Sequence, residues 1–248
     1  MKALLFAAGL GTRLKPLTDK MPKALVELGG SSLLEHTLRK LKNAGVTDVV
    51  VNIHHFGEQI IDFLNTHDFG LRTYISDERE MLLDTGGGLK KASAYFQNET
   101  APILIHNVDI LSNANLGAFY NFAKEYPITL LVSKRDTTRY LLFDDEMCLV
   151  GWTNISTGEV KSPYSDLKVD SCQKFAFSGI HTFVPNLIAQ MDGYPAKFPI
   201  MDFYLSICNK VKIKGYVEKK LLLVDVGKYA SLQSAEDFAR DNGLFNTY

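Results

Sequence analysis

The sequence has few cysteines, and their arrangement excludes two common uses of that residue. Its 248 residues contain 3, at Cys148, Cys172 and Cys208. An odd number of widely spaced cysteines, without paired C-x-x-C spacing, is typical neither of a disulfide framework nor of a zinc site. We therefore predict reduced, mostly buried thiols.

An excess of charge and a long apolar run are also lacking. Lys and Arg total 27 and Asp and Glu total 28, which gives a net charge of -1. A dedicated nucleic-acid-binding protein usually has a clear basic excess. No stretch approaches the roughly 20 apolar residues that cross a bilayer, and the apolar start leads into glycines instead of a signal-peptide cleavage site. We expect a cytoplasmic protein that binds neither nucleic acid nor membrane.

No linker, repeat or low-complexity tract interrupts the chain, and we predict one domain over residues 1–248. In the first half, apolar runs alternate with helical patterns. Predicted strands are 3–8, 48–53, 71–76, 102–105 and 128–133. Predicted helices are one capped by Ser31 or Ser32 and ending near 43, then 57–65, one following Gly86–Gly88, and 116–125.

The second half has a different pattern, with predicted strands at 140–143, 147–152, 175–184, 211–217 and 221–224. Helices are predicted at 198–209 and 229–240. The βαβα order of the first half predicts an α/β fold, a Rossmann-like mixed but mainly parallel sheet flanked by helices. The later strands predict a small antiparallel subdomain.

A glycine-rich loop follows the first strand. Ligands of such sheets bind at the carboxyl ends of the strands, where Gly9 and Gly11 let backbone N–H groups approach phosphate oxygens. Arg13 offers a planar fork of donors, and Lys23 offers a point charge. The loop therefore predicts a phosphate site, although a plain turn with solvated cations has the same composition.

Two other phosphate-binding motifs do not fit this loop. A dinucleotide fingerprint requires a third glycine where Leu14 stands, and a P-loop requires Gly-Lys-Ser/Thr after four residues. Leu14, together with the lack of a pair of acid and base residues for hydride transfer, argues against an NAD-linked oxidoreductase.

Residues 5–18 and 22–26 resemble the signature of the sugar-1-phosphate nucleotidyltransferases, and the resemblance runs over essentially the whole chain. It is closest to short single-domain members such as N-acetylmuramate-1-phosphate uridylyltransferase and mannose-1-phosphate guanylyltransferase-like proteins. The resemblance implies the nucleotide-diphospho-sugar transferase fold, with a nucleotide-binding half (about 1–135) and a sugar-binding half (about 136–248). Because the sequence contains no hexapeptide repeat, we do not expect the β-helix that longer relatives append.

The resemblance also implies site residues. Arg13 and Lys23 would be catalytic, and Asp109 and Asp225 would bind Mg²⁺. Nucleotide contacts would come from Ala8, Gly9, Gly11, Thr12, Arg13, Lys23, Thr85 and Gly86, and sugar contacts from Asn107 and Gly179.

Each of the later segments also has a plainer interpretation. The Thr85–Gly88 segment could be a turn that caps a helix, and Asp109 and Asp225 could be structural. Where relatives have Gly, Trp and Thr, this chain has Val108, Leu223 and Lys228. The family's lysine for the sugar phosphate has no clear match; Lys161 and Lys174 are candidates.

The resemblance implies Mg²⁺-assisted in-line attack by a sugar 1-phosphate on the α-phosphate of an NTP, in nucleotide-sugar biosynthesis. UTP with N-acetylmuramate 1-phosphate, for the cell wall, fits the overall pattern best. Alternatives are GTP with mannose or heptose 1-phosphate, CTP with phosphocholine, and dTTP with glucose phosphate. From another class, a non-catalytic nucleotide-sugar sensor remains open, as does the oligomeric state.

Overall fold

The computed structural model describes residues 1–227 and 232–246. The strands of the described residues are β1 (Lys2–Phe6), β2 (Glu27–Leu28), β3 (Ser31–Ser32), β4 (Asp48–Ile53), β5 (Arg72–Asp77), β6 (Ile103–Asn107), β7 (Ile110–Ser112), β8 (Ile128–Ser133), β9 (Arg139–Phe143), β10 (Leu149–Asn154), β11 (Glu159–Lys161), β12 (Gln173–Phe183), β13 (Ile213–Val217) and β14 (Leu223–Asp225). The helices are α1 (Leu33–Asn43), α2 (Gly57–Thr66), α3 (Asp84–Ala92), α4 (Leu116–Ala123), α5 (Ile200–Ile207) and α6 (Leu232–Asp241).

These elements form two compact units. The first comprises Met1–Leu83, Leu104–Gly117 and the described part of Leu222–Tyr248. The second comprises Asp84–Ile103 and Ala118–Leu221. The functional division into a nucleotide half and a sugar half stays a prediction.

The first unit is built on parallel strands in the order β5, β4, β1, β6. All six residues of β4 are buried, and so are the last four of β1. Continuous apolar runs are typical of parallel strands covered on both faces, which is why the sequence pattern identified them. Because the strands are parallel and in register, Phe6 at the end of β1 lies beside Asn52 of β4 and Asn107 of β6.

Helix α1 shows how local sequence sets an element of this unit. The backbone N–H of Glu35 donates to Ser32 Oγ at 3.1 Å, which confirms Ser32 as the N-cap. Gly45, with φ +88, follows the helix in the left-handed conformation that glycine adopts easily. The apolar face of the helix is fully buried, as its spacing predicted.

A short antiparallel ribbon joins two distant parts of the first unit. Strand β7 pairs with β14, with Ile110 opposite Asp225, and the N–H of Val226 donates to Asp109 O at 3.0 Å. The sequence predicted a strand near β14 but not β7. Three residues are too few for a periodic pattern, so pairing with β14 defines β7.

The second unit contains a sheet in the order β13, β8, β12, β9, β10, β11. Only β13 and β8 run parallel, so the predicted antiparallel strands of the second half are confirmed. Strand β12 is irregular between Phe177 and His181, where Gly179 has φ +79. The strands and helices of the two units confirm the predicted α/β fold class.

Two helix starts in the second unit were predicted wrongly. Helix α3 begins at Asp84 and includes Gly86–Gly88, which the sequence placed before a helix. Glycine disfavours a helix interior, but packing against residues near Phe198 outweighs that local cost. Helix α5 begins at Ile200 instead of 198 because Pro199 is its N-cap and has extended backbone.

The cysteines are free thiols, as predicted, although only Cys208 is buried and Cys148 and Cys172 are half-buried. Across residues 1–227 and 232–246, no helix is both long and apolar enough to cross a membrane.

Candidate active site

The loop after β1 is anchored at its first residues. The backbone N–H groups of Ala7 and Ala8 donate to Asn52 Oδ1 at 2.6 and 3.1 Å. The N–H of Ala8, a predicted nucleotide contact, therefore bonds within the protein. Sequence reasoning missed Asn52, although one polar residue within the apolar run of β4 was a visible signal.

The two loop glycines have different physical roles. Gly11 has φ +64, and a Cβ there would lie 2.8 Å from Thr18 Cγ2 and 3.0 Å from Lys23 Cβ. Thr18 Oγ1 also donates to Gly11 O at 2.9 Å, so the loop fold itself requires this glycine. By contrast, a Cβ on Gly9 would have no atom of the described chain within 4 Å, and Gly9 has no positive φ. Packing therefore does not explain Gly9, which is exposed.

Lys23 and Asp109 form an ion pair beside this loop. Lys23 Nζ lies 2.5 Å from Asp109 Oδ2, and the two side chains are 8% and 23% exposed. Lys23 begins a single 3-10 turn, Lys23–Leu25, and Asp109 lies just beyond β6. The pair thus joins the end of the glycine-rich loop to the carboxyl end of a central strand.

Gly227 marks the point where four predicted site residues converge. A Cβ on Gly227 would lie 2.5 Å from Lys23 Nζ, 3.2 Å from Arg13 Nη2 and 3.3 Å from Asp225 Oδ1. Lys23 is in turn paired with Asp109. The structure therefore brings together two cations and two carboxylates that are as much as 212 positions apart in the sequence (13 to 225). Thr12 is exposed and precedes Arg13 in its 3-10 turn.

The chemistry of this donor set fits Mg²⁺. The ion is usually held by one or two carboxylates, with phosphate oxygens and water completing its shell. Asp109 and Asp225 supply such a pair. Among the described residues, no cluster of three or more His, Cys, Asp and Glu could hold a metal, so the donor set does not match a closed structural zinc site.

Thr85 and Gly86 lie in the first turn of α3, in the second unit. Thr85 Oγ1 accepts the N–H of Ile200 at 2.9 Å, and the N–H of Gly86 donates to Phe198 O at 2.8 Å. A Cβ on Gly86 would lie 2.5 Å from Phe198 Cδ2. The structure thus gives both residues a packing role, and their contact with a nucleobase stays a prediction.

The two predicted sugar contacts lie at different kinds of position. Asn107 is half-buried at the carboxyl end of β6, and Gly179 is buried at the irregularity of β12. Of the two candidate lysines, Lys161 Nζ lies 3.7 Å from Asp202 Oδ1, and Lys174 Nζ lies 3.9 Å from Asp170 Oδ1. Both lysine side chains are more than a third exposed.

Behind the site, His106 is fully buried in β6, with Nδ1 2.8 Å from Asn107 O. Burial, together with the nearby charge of Lys40, lowers the pKa of His106 to about 4 despite the bond to Asn107. Burial also lowers the pKa of Lys40, which donates to Ser112 O, to about 8. The imidazole is therefore neutral near pH 7 and belongs to the core of the unit.

Known proteins resemble the chain in sequence and in fold. N-acetylmuramate alpha-1-phosphate uridylyltransferase of Caulobacter vibrioides is 43% identical over 119 residues, 47% of this chain and 48% of that protein. Mannose-1-phosphate guanyltransferase of Saccharomyces cerevisiae is 34% identical over 128 residues, 51% of this chain and 35% of that protein. The chain thus spans about half the length of the first relative and about a third of the length of the second.

The structural likeness is more extensive. The crystal structure of HddC from Yersinia pseudotuberculosis complexed with GMP-PN has a TM-score of 0.73, at 21% identity, covering 95% of this chain and 98% of that one. At that identity the likeness shows a shared fold. A family model described as nucleotidyl transferase matches residues 2–242. With that match over almost its full length, the chain belongs to the nucleotidyl transferase family.

Proposed function

We propose that this protein joins an NTP to a sugar 1-phosphate, releasing pyrophosphate and forming an NDP-sugar. The observation that carries the proposal is the convergence of Arg13, Lys23, Asp109 and Asp225 around Gly227. Two cations suit a triphosphate, and two carboxylates suit the metal ion that accompanies it. Gly9 supports the same function, because it leaves open surface where the fold does not require glycine.

The reaction needs little covalent chemistry from the protein. An anionic oxygen of the sugar 1-phosphate attacks the α-phosphorus in line, and the bond from that phosphorus to the bridging oxygen of the β-phosphate breaks. The nucleophile is already charged, so no general base has to remove a proton. Catalysis then depends on position and electrostatics. Arg13 and Lys23 stabilise the charge that develops on the leaving pyrophosphate.

Asp109 and Asp225 would hold Mg²⁺. When bound, the ion offsets phosphate charge and helps to orient the α-phosphate. The ion pair with Asp109 fixes the ammonium of Lys23, so this lysine is held in place before the nucleotide binds. Such preorganisation reduces the reorganisation needed during the reaction.

For substrates, we propose UTP with N-acetylmuramate 1-phosphate, supported by the relative of that name at 43% identity. GTP with mannose 1-phosphate is the second candidate, supported by the yeast relative at 34% identity. We place the nucleobase near Thr85 and Gly86 and the sugar near Asn107 and Gly179, as the family resemblance implies.

A pyrophosphate-release screen tests this function. Four NTPs are combined with a panel of sugar 1-phosphates in Mg²⁺, and we expect release with one pairing well above the others. Asp225→Asn, after circular dichroism has shown that it is folded, serves as the inactive control. Silence across the panel from folded wild-type protein, together with measurable nucleotide-sugar binding, would favour the sensor instead.

A further inference from the structure

A buried chain of hydrogen bonds lies directly beneath the glycine-rich loop. It consists of the side chains of Asn52, at the end of β4, and Glu78, just after β5. Asn52 is 3% exposed and Glu78 is 1% exposed. Neither residue belongs to the charged cluster around Gly227, and the proposed chemistry uses neither.

The distances define a continuous path. Asn52 Oδ1 accepts the N–H groups of Ala7 and Ala8 at 2.6 and 3.1 Å. Asn52 Nδ2 donates to Glu78 Oε1 at 2.8 Å, and the N–H of Leu83 donates to Glu78 Oε2 at 3.1 Å. Through the Asn52 amide, the Glu78 carboxylate thus connects the backbone before Gly9 to the N–H of Leu83.

The donor and acceptor pattern makes the two side chains depend on each other. Two backbone N–H groups require an acceptor, so the amide oxygen of Asn52 must face the loop. Its NH₂ group then faces Glu78, which must accept there and also from Leu83. Among side chains of this length, only an ionised carboxylate accepts at both ends. The orientation of the Asn52 amide therefore depends on Glu78.

This path of hydrogen bonds fixes the direction in which the glycine-rich loop leaves β1. Ala7 and Ala8 are the last residues before Gly9, and Asn52 binds both of their N–H groups. Rotation of the amide would present NH₂ to these donors and displace the backbone that leads to Gly9.

We propose that Asn52 and Glu78 are positioning residues for the nucleotide, with Glu78 orienting Asn52 and Asn52 aiming the loop that holds the triphosphate. This inference rests on the proposed function, because it assumes that the loop binds an NTP. It adds two residues that touch neither substrate nor metal in that proposal.

Exchange of the two functional groups tests the idea. In Asn52→Asp, two carboxylates face each other. In Glu78→Gln, either orientation of the new amide sets NH₂ against the N–H of Leu83 or against the NH₂ of Asn52. In the double variant N52D/E78Q the bonds of this path are restored, because the new amide donates its NH₂ to the new carboxylate while its oxygen accepts from Leu83.

The measurements are the Kd of Mg²⁺–UTP and Mg²⁺–GTP by calorimetry, kcat and KM for pyrophosphate release, and hydrogen exchange at Ala7 and Ala8. We expect each single variant to raise the nucleotide Kd and KM about tenfold or more, to leave kcat less affected, and to lose protection at both alanines. The double variant should return within about threefold of wild type. The matched control N65D/E80Q carries the same exchange at two exposed positions and should match wild type.

The outcomes separate the two proposals. Single variants that bind nucleotide as wild type does would overturn the positioning role, and so would a folded double variant that stays as weak as the single ones. Wild-type protein that binds nucleotide but releases no pyrophosphate would overturn the proposed activity alone. Wild-type protein that binds neither nucleotide and releases no pyrophosphate in the screen of four NTPs would overturn both.

Discussion

The two compact units place their predicted site residues in physically different settings. In the first unit, Lys23, Asp109 and Asp225 bring charge to one point, and Gly9 is a glycine that the packing does not require. In the second unit, Thr85 and Gly86 bond to and pack against the backbone near Phe198. Family resemblance marks both sets, yet only the first set is unexplained by folding alone.

This contrast separates motif residues that the fold requires from those that a ligand explains. A buried ion pair or an uncrowded glycine adds little stability to the fold, so a ligand is the simpler explanation. Where an added Cβ would clash with a neighbouring ring, as at Gly86, packing explains the glycine and no ligand has to be invoked. Variants in the first unit should therefore change activity more than stability, and variants in the second unit should do the reverse.

The largest expected effect is on activity, from loss of a carboxylate in the first unit. Asp225→Asn or Asp109→Asn should lower kcat/KM for Mg²⁺-dependent pyrophosphate release by at least about 10³-fold, because metal stabilisation of phosphate charge is worth several kcal/mol. Steady-state kinetics with Mg²⁺ titration measure the effect. Asp62→Asn, an exposed change on α2, is the control. Turnover within tenfold of wild type in both variants would refute the metal assignment.

Gly227→Ala tests the convergence point directly. Its Cβ would lie 2.5 Å from Lys23 Nζ and close to Arg13 and Asp225, so these side chains must shift. We expect kcat/KM to fall about 100-fold, while the free energy of unfolding changes by less than about 1 kcal/mol because flexible side-chain ends can move.

Kinetics and urea unfolding of the same preparation separate these two effects. Gly193→Ala, where a Cβ meets no described atom within 4 Å, is the matched control. An active but unstable Gly227→Ala would reverse the expected contrast between the units.

His106 tests whether a buried polar residue of the first unit serves the core. Its pKa falls from 6.5 in the unfolded chain to about 4 in the fold, chiefly because burial disfavours the charged form. Between these values the unfolded chain binds more protons, so stability present above pH 6.5 is lost as the pH falls toward 4. The loss should be about 3 kcal/mol.

Urea unfolding of wild type and His106→Gln between pH 7.5 and 4 measures this difference. As the pH falls, the free energy of unfolding of wild type should decrease relative to that of His106→Gln. His67→Gln, at an exposed position, is the control. A gap independent of pH would contradict a neutral, buried His106.

The smallest expected effect comes from Gly86→Ala in the second unit. The added methyl meets the ring and the carbonyl of Phe198, and overpacking of this kind costs about 1–3 kcal/mol. Thermal unfolding measures it. Gly117→Ala, a helical position where the new Cβ has an ordinary 3.5 Å contact, should be neutral or slightly stabilising. Gly86→Ala as stable as wild type would contradict the packing role, and a changed nucleotide Kd in the folded variant would support the proposed nucleobase contact.

The sequence predicted the parallel core because strands such as β1 are largely apolar runs and helices such as α1 have clear start and stop signals. It could not predict β7 or the true start of α3. Strand β7 is defined by a partner far along the sequence. The start of α3 depends on packing against Phe198, which offsets the low helix propensity of the glycines. Asn52 was missed for the same reason as β7, since the residues to which it hydrogen-bonds are 26 to 45 positions away, and the role of Glu78 depends on Asn52.

Local sequence was enough for the longer strands, the main helices and the identity of the glycine-rich loop, because periodicity and turn chemistry act over a few residues. Tertiary structure alone decided which glycine the fold requires, which charges meet at Gly227, and which carboxylate sets the amide beneath the loop. Those facts depend on distances between residues remote in sequence, and only the folded backbone fixes such distances.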